Sequence, residues 1–113
     1  MKIDRIENYT RGWFVGNFEK TAFKTDACEV SYKKHYAGEF WDLHYQEKIT
    51  EINLLISGEM IMQNIKLIPG DIFILYPYEI ADPIFLTDCE IICVKVPGIQ
   101  NDKVVIKNVE RYS

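Results

Sequence analysis

Apolar residues along this chain fall at a spacing of two and do not recur at three and four, and the longer apolar runs are rich in β-branched and aromatic types. The pattern predicts strands near 12–18, 27–36, 50–56, 60–63, 72–75, 84–86 and 89–96, with segment 3–9 as a further edge strand. Turn signals separate them: Thr10-Arg11-Gly12, Ala37-Gly38-Glu39, Ser57-Gly58-Glu59, Pro69-Gly70-Asp71, Asp82-Pro83 and Pro97-Gly98. Short strands punctuated this regularly mark an all-β sandwich or barrel. Two of them carry apolar residues on both faces. Ile52, Leu54 and Ile56 alternate with Asn53 and Leu55, and Ile72-Phe73-Ile74-Leu75 has no polar face at all. One face fills a barrel, so the other needs a cover. A second copy of the chain, giving a homodimer, is the simplest; the chain's own terminal segments are the alternative.

A length of 113 residues suits one domain, taken as 1–113, and 48% apolar with 27% charged residues is a globular composition. The net charge of −4 is modest and the cations are scattered, which argues against nucleic acid as a partner. No apolar run approaches bilayer length and residues 1–4 lack a signal-peptide core, so the expected location is cytoplasmic, away from the membrane. Cys28, Cys89 and Cys93 lack metal-ligand spacing and read as reduced thiols, the last two on one face of a strand.

The stretch GEFWDLHYQEKITEINLLISG, from Gly38 to Gly58, resembles the first motif of the cupins: Gly38, His44, Glu51 and Gly58 match, with Gln46 where a second histidine is expected. GDIFILYPYEIAD is similar to the second motif. Gly70 and Pro77 match with one extra residue between them, Glu79 replaces a glycine, and Asp82 stands where a histidine would be. The resemblance spans most of the chain. It implies a single-domain cupin-type antiparallel β-barrel, the jelly roll or double-stranded β-helix, whose interior in that family holds a divalent transition metal on three histidines and a glutamate. Carried over residue by residue, it makes His44, Gln46, Glu51 and Asp82 the candidate metal ligands, for Zn, Fe, Mn or Ni.

Carboxylate and amide oxygens make this a harder set than the family's own. Three functions are compatible with it. The first is binding of a small molecule in the cavity: a sugar, organic acid or metabolite. The second is a metal-dependent oxygenase or isomerase using the His/Gln/Glu/Asp site. The third is a metal-free sugar-nucleotide isomerase or epimerase with His44 as base. Trp13, Phe14, Phe18, Phe40, Trp41, Tyr45, Tyr76 and Tyr78 gather near the motifs, where core or dimer packing is the ordinary role and a wall for a planar ligand the functional one. His35 is expected at the surface beside Lys33 and Lys34. Arg11 and Lys95 could meet an anionic ligand, although a solvated charge is the ordinary state.

Overall fold

The computed structural model describes residues 1–106. Its strands are β1 (Trp13–Gly16), β2 (Phe23–Lys24), β3 (Glu29–His35), β4 (His44–Gln46), β5 (Thr50–Ser57), β6 (Met60–Met62), β7 (Ile65–Leu67), β8 (Ile72–Leu75), β9 (Ile84–Phe85), β10 (Cys89–Val96) and β11 (Lys103–Val105). They form a six-stranded sheet ordered β2-β1-β3-β10-β5-β8, a three-stranded sheet β7-β6-β9 and the pair β11-β4. The pairings are antiparallel except for that of β1 with β2. A bridge from His44 to Ala81 ties β4 to the segment before β9. No helix among the described residues is long and apolar enough to cross a membrane.

Period-two alternation built the expected strands, while β2, β4, β7 and β11 escaped notice because two or three residues carry too little pattern. Segment 3–9 is not an edge strand. It contains a 3-10 turn at Ile6–Asn8, and the reason is local: the Asp4 carboxylate accepts the Arg5 backbone N–H at 2.7 Å, the Asn8 amide at 2.7 Å and the Tyr9 hydroxyl. Such short-range bonds compete with a sheet ladder. At the β5–β6 turn, Gly58 has φ +87°, and a Cβ there would stand 2.1 Å from the Asp88 carbonyl oxygen. Only glycine fits.

One end of the barrel is filled by Leu55, Met60, Met62, Leu67, Leu75, Ala81, Phe85, Cys89 and Ile91, with Trp41 and Phe73 packed against them. The outer face of the large sheet is different. Ile52, Leu54 and Ile56 of β5 and Ile72 and Ile74 of β8 face solvent, Ile72 at 66% exposure. The described residues leave this apolar face open; residues 107–113 lie outside them.

The β11–β4 pair is fastened by one carboxylate. Asp102 Oδ2 accepts the backbone N–H groups of Glu47, Lys48 and Ile49 at 3.0, 2.8 and 3.0 Å. Burial pushes its carboxyl up, but these bonds outweigh it and hold the group below the ordinary value. A carboxyl lowered by folding stabilises above its unfolded pKa, and the benefit fades as pH falls through the lower folded value. Asp102→Ala is therefore expected to cost roughly 1–3 kcal/mol at neutral pH. Urea melts should show the gap between wild type and variant closing below about pH 4.

Candidate functional site

Three neighbouring strands carry an unusual load inward. The register pairs Lys95 of β10 with Glu29 of β3 and with Glu51 of β5, and one rung further it pairs Cys93 with Ser31 and Asn53. Glu29, Ser31 and Asn53 are buried. The alternation of these strands thus turns Glu51, Asn53 and Leu55 inside and leaves Ile52 and Leu54 outside, so the more polar face of β5 lines the barrel.

Two cavities meet at this wall. One, of about 80 Å³, runs from Lys33, His44, Glu51 and Asn53 down to Met60, Met62, Phe73, Phe85 and Ile91. The other, of about 220 Å³, is edged by Arg11, Glu29, Gln46, Lys95 and Lys103. Trp13 and Trp41 join the cations above them. Lys33 Nζ lies 4.8 Å from the Trp13 ring centre and 5.9 Å from that of Trp41, Lys95 Nζ 4.9 Å from Trp13, and Lys103 Nζ 4.9 Å from Trp41. Lys95 Nζ stands 4.0 Å from Glu51 Oε1. Four cations, Arg11, Lys33, Lys95 and Lys103, therefore share the region with three carboxylates, Glu29, Glu51 and Asp102, the last already bonded to three backbone N–H groups. Burial also pushes the Glu29 carboxyl above its ordinary value, against the pull of Lys95.

Four side-chain atoms on this interior are buried without a hydrogen-bond partner among the described residues: Glu29 Oε2, Ser31 Oγ, Gln46 Oε1 and Asn53 Nδ2. A buried polar atom left unpaired costs about 1–3 kcal/mol. Four together in one barrel mark a place where a bound molecule or ordered water completes the bonding.

Of the residues expected from the motifs, His44, Gln46 and Glu51 come together on β4 and β5, where all three line one small crevice. Asp82 does not join them. Its carboxylate accepts the backbone N–H of Gln63 at 2.8 Å, in the turn between β6 and β7, and this bond holds it away from them. His44 Nδ1 donates to the Asp42 carbonyl at 2.9 Å, leaving Nε2 for the interior. Burial lowers the imidazole's pKa, and the Lys103 charge adds to this, so the ring is neutral near pH 7.

These residues do not fit a divalent metal. No group of three His, Cys, Asp or Glu side chains able to hold one occurs among the described residues. The donors that do converge are one imidazole, one carboxylate and one amide, and the carboxylate already faces an ammonium, with further cations beside it. A dication would enter a field of its own sign.

His35, expected at the surface, is buried. Its Nδ1 meets Glu39 Oε2 at 2.6 Å and its ring stacks on Phe85 at 4.4 Å, while the Trp41 indole N–H also donates to Glu39 at 2.6 Å. Glu39 thus fixes both rings over the cavity. Lys33 and Lys103 went unnoticed in the sequence. The available signal was that Glu29, Ser31 and Lys33 share a parity opposite to Val30 and Tyr32, but alternation does not say which parity faces in. Cys93 is an inert thiol: burial, with the Glu51 charge beside it, pushes it up to about 12.

No protein-family model matches the sequence, and no curated protein matches it. Solved structures do. A conserved protein with a double-stranded β-helix domain from Klebsiella pneumoniae superposes with a TM-score of 0.70 at 18% identity, over 92% of this chain and 90% of its own. An ectoine synthase from P. lautus gives 0.66 at 13% identity, over 100% and 99%. A DMSP lyase from Ruegeria pomeroyi gives 0.68 at 18% identity over 82% of this chain and 49% of its own, so the chain spans about half the length of that lyase. Likeness at such identities establishes the fold alone.

A dication should find no seat in this interior. Added Mn²⁺ or Zn²⁺ is expected to leave the melting temperature unchanged, and plasma mass spectrometry of the purified protein should find well under one metal per chain; a stoichiometric metal lost in His44→Ala would refute it.

Proposed function

We infer that this chain, which has the double-stranded β-helix fold of the cupins, binds a small organic acid inside its barrel. The observation that carries the reading is the excess of cations over carboxylates around a cavity whose buried polar atoms lack partners. Withdrawing a charge from water is expensive, so the partly buried Lys33 and Lys95 need counter-charge, while Arg11 and Lys103 are exposed at the rim. Glu51 pairs with Lys95 at 4.0 Å, and its single charge is shared with Lys33 and Lys103. A carboxylate ligand would supply the rest, with Asn53 Nδ2 and the Ser31 hydroxyl as further donors to its oxygens. Its hydrocarbon part would lie against Met60, Met62, Phe73 and Phe85. Structures with the same barrel include an ectoine synthase and a DMSP lyase, consistent with a barrel that handles small molecules.

Binding only the folded state raises stability by mass action, about 2.7 kcal/mol at a ligand concentration of one hundred times Kd. Acetate, pyruvate and succinate are expected to raise the melting temperature where neutral sugars do not. The rise should shrink with added salt and disappear in the double variant Lys95→Met, Lys103→Met. Equal shifts from sugars and acids, or none from either, would remove the reading.

We propose also that a second copy covers the outer face of β5 and β8. Along this face the outward residues Ile52, Leu54, Ile56, Ile72 and Ile74 carry no charge, so the patch suits a copy of itself and offers nothing to a charged partner. Light scattering should report a dimer at micromolar concentration, and a monomer for Leu54→Glu with Ile72→Glu; a monomeric wild type would overturn it.

A further inference from the structure

We propose that Lys33 is the amine of a carbonyl-capture site: it forms a Schiff base with the keto group of a small 2-oxo acid whose carboxylate is held by the neighbouring cations. This rests on the organic-acid reading of the cavity and specifies the ligand's second functional group.

Lys33 sits inward on β3, directly opposite Ile91 of β10, and shares its cavity with Met60, Met62 and Phe73. An amine embedded among apolar side chains is where desolvation opposes the ammonium form. Lys33 has no ion-pair partner among the described residues, whereas Lys95 has Glu51 and Lys66 has Glu59. Its neighbours on the other side, Lys95 and Arg11, are cations. The two indole faces favour the charged form, by about 0.5–2 kcal/mol for such contacts. Burial, foremost, and the like charges of Lys95 and Arg11 outweigh the opposing pull of Cys93 and Glu51, and the amine lies below its ordinary lysine value. Lys33 accordingly holds more of the nucleophilic free amine than a lysine in water does at the same pH.

Placement supplies the rest. In a 2-oxo acid the electrophilic carbon is one bond from the carboxylate, so cations that seat the carboxylate bring the keto carbon to an amine in the same cluster. Lys33 also lines a second opening, of about 400 Å³, between Tyr9, Gly12, Glu39 and Trp41, which gives a path from solvent to its amine. In the step itself the nitrogen lone pair attacks the keto carbon to form the C–N bond. The carbonyl oxygen leaves as water, carrying the two protons that nitrogen gives up, and the neutral imine then takes one proton to become the iminium. No oxidant or reductant enters.

The experiment treats the full chain with pyruvate and cyanoborohydride at pH 7 and maps the product by mass spectrometry. One carboxyethyl group on Lys33 is expected, formed faster than on any other lysine, since a lowered pKa leaves more of the free amine and the cavity seats the acid beside it. Lactate, which has the carboxylate without the keto group, should suppress it, and Lys95→Met should slow it while leaving Lys33 in place. Lys33→Met, checked for folding by its melting curve, should show none. Adducts spread over surface lysines, or none on Lys33, would overturn the proposal. The two readings part cleanly: a melting-temperature rise with both acids but no adduct keeps the organic-acid site and discards the Schiff base. An adduct on Lys33 that lactate does not suppress keeps the amine and discards the anion site.

Discussion

The register that sets Lys95 between Glu29 and Glu51 is the constraint on which the site depends. A strand turns successive side chains to opposite faces, so fixing β10 against β3 and β5 fixes the facing of every residue on all three. A slip of one residue would put Ile52 and Leu54 inside and expel Glu51, Asn53, Lys33 and Lys95 together. The barrel tolerates this polar wall because its other end is closed by the apolar cluster around Leu55, Met60 and Phe85, which supplies the burial that holds the strands. Stability and chemistry are thus divided along the barrel's length.

The polar end differs from an ordinary core in what it leaves unfinished. Around the cavity, Asp102 satisfies three backbone donors and Glu39 two ring nitrogens. Inside, buried atoms of Glu29, Ser31, Gln46 and Asn53 lack a partner among the described residues. A rigid surround with unpaired groups at its centre is the arrangement expected of a preorganised binding site. Where the cupins place histidines this barrel has an amide, and lysines stand beside its one interior glutamate on β5.

Much of the fold was legible in the residues. The period of two gave β1, β3, β5, β6, β8, β9 and β10 to within a few positions, and the glycine at Gly58 marked a turn where a side chain would strike the Asp88 carbonyl. Of the strands of two or three residues, β6 and β9 were legible because turn signals at Gly58 and Asp82-Pro83 precede them, while β2, β4, β7 and β11 were not, a pattern that short being hard to tell from a loop. Segment 3–9 misled since its alternation competes with side-chain bonds to Asp4. Motif spacing singled out His44, Gln46 and Glu51, which line one crevice, while Asp82 lies apart on the Gln63 backbone N–H and His35 is turned inward onto Phe85.

By itself the sequence determined that this chain makes short antiparallel strands, where most of them turn, and that some are apolar on both sides, for these follow from local sterics and period. Only the tertiary structure decided which parity faces the interior. That choice depends on partners distant in the chain: Lys33 and Lys95 become neighbours over the Trp13 ring although 62 positions separate them. A lysine in a sequence reads as a solvated charge because solvation is its cheapest state, and it takes a closed barrel to withdraw the water.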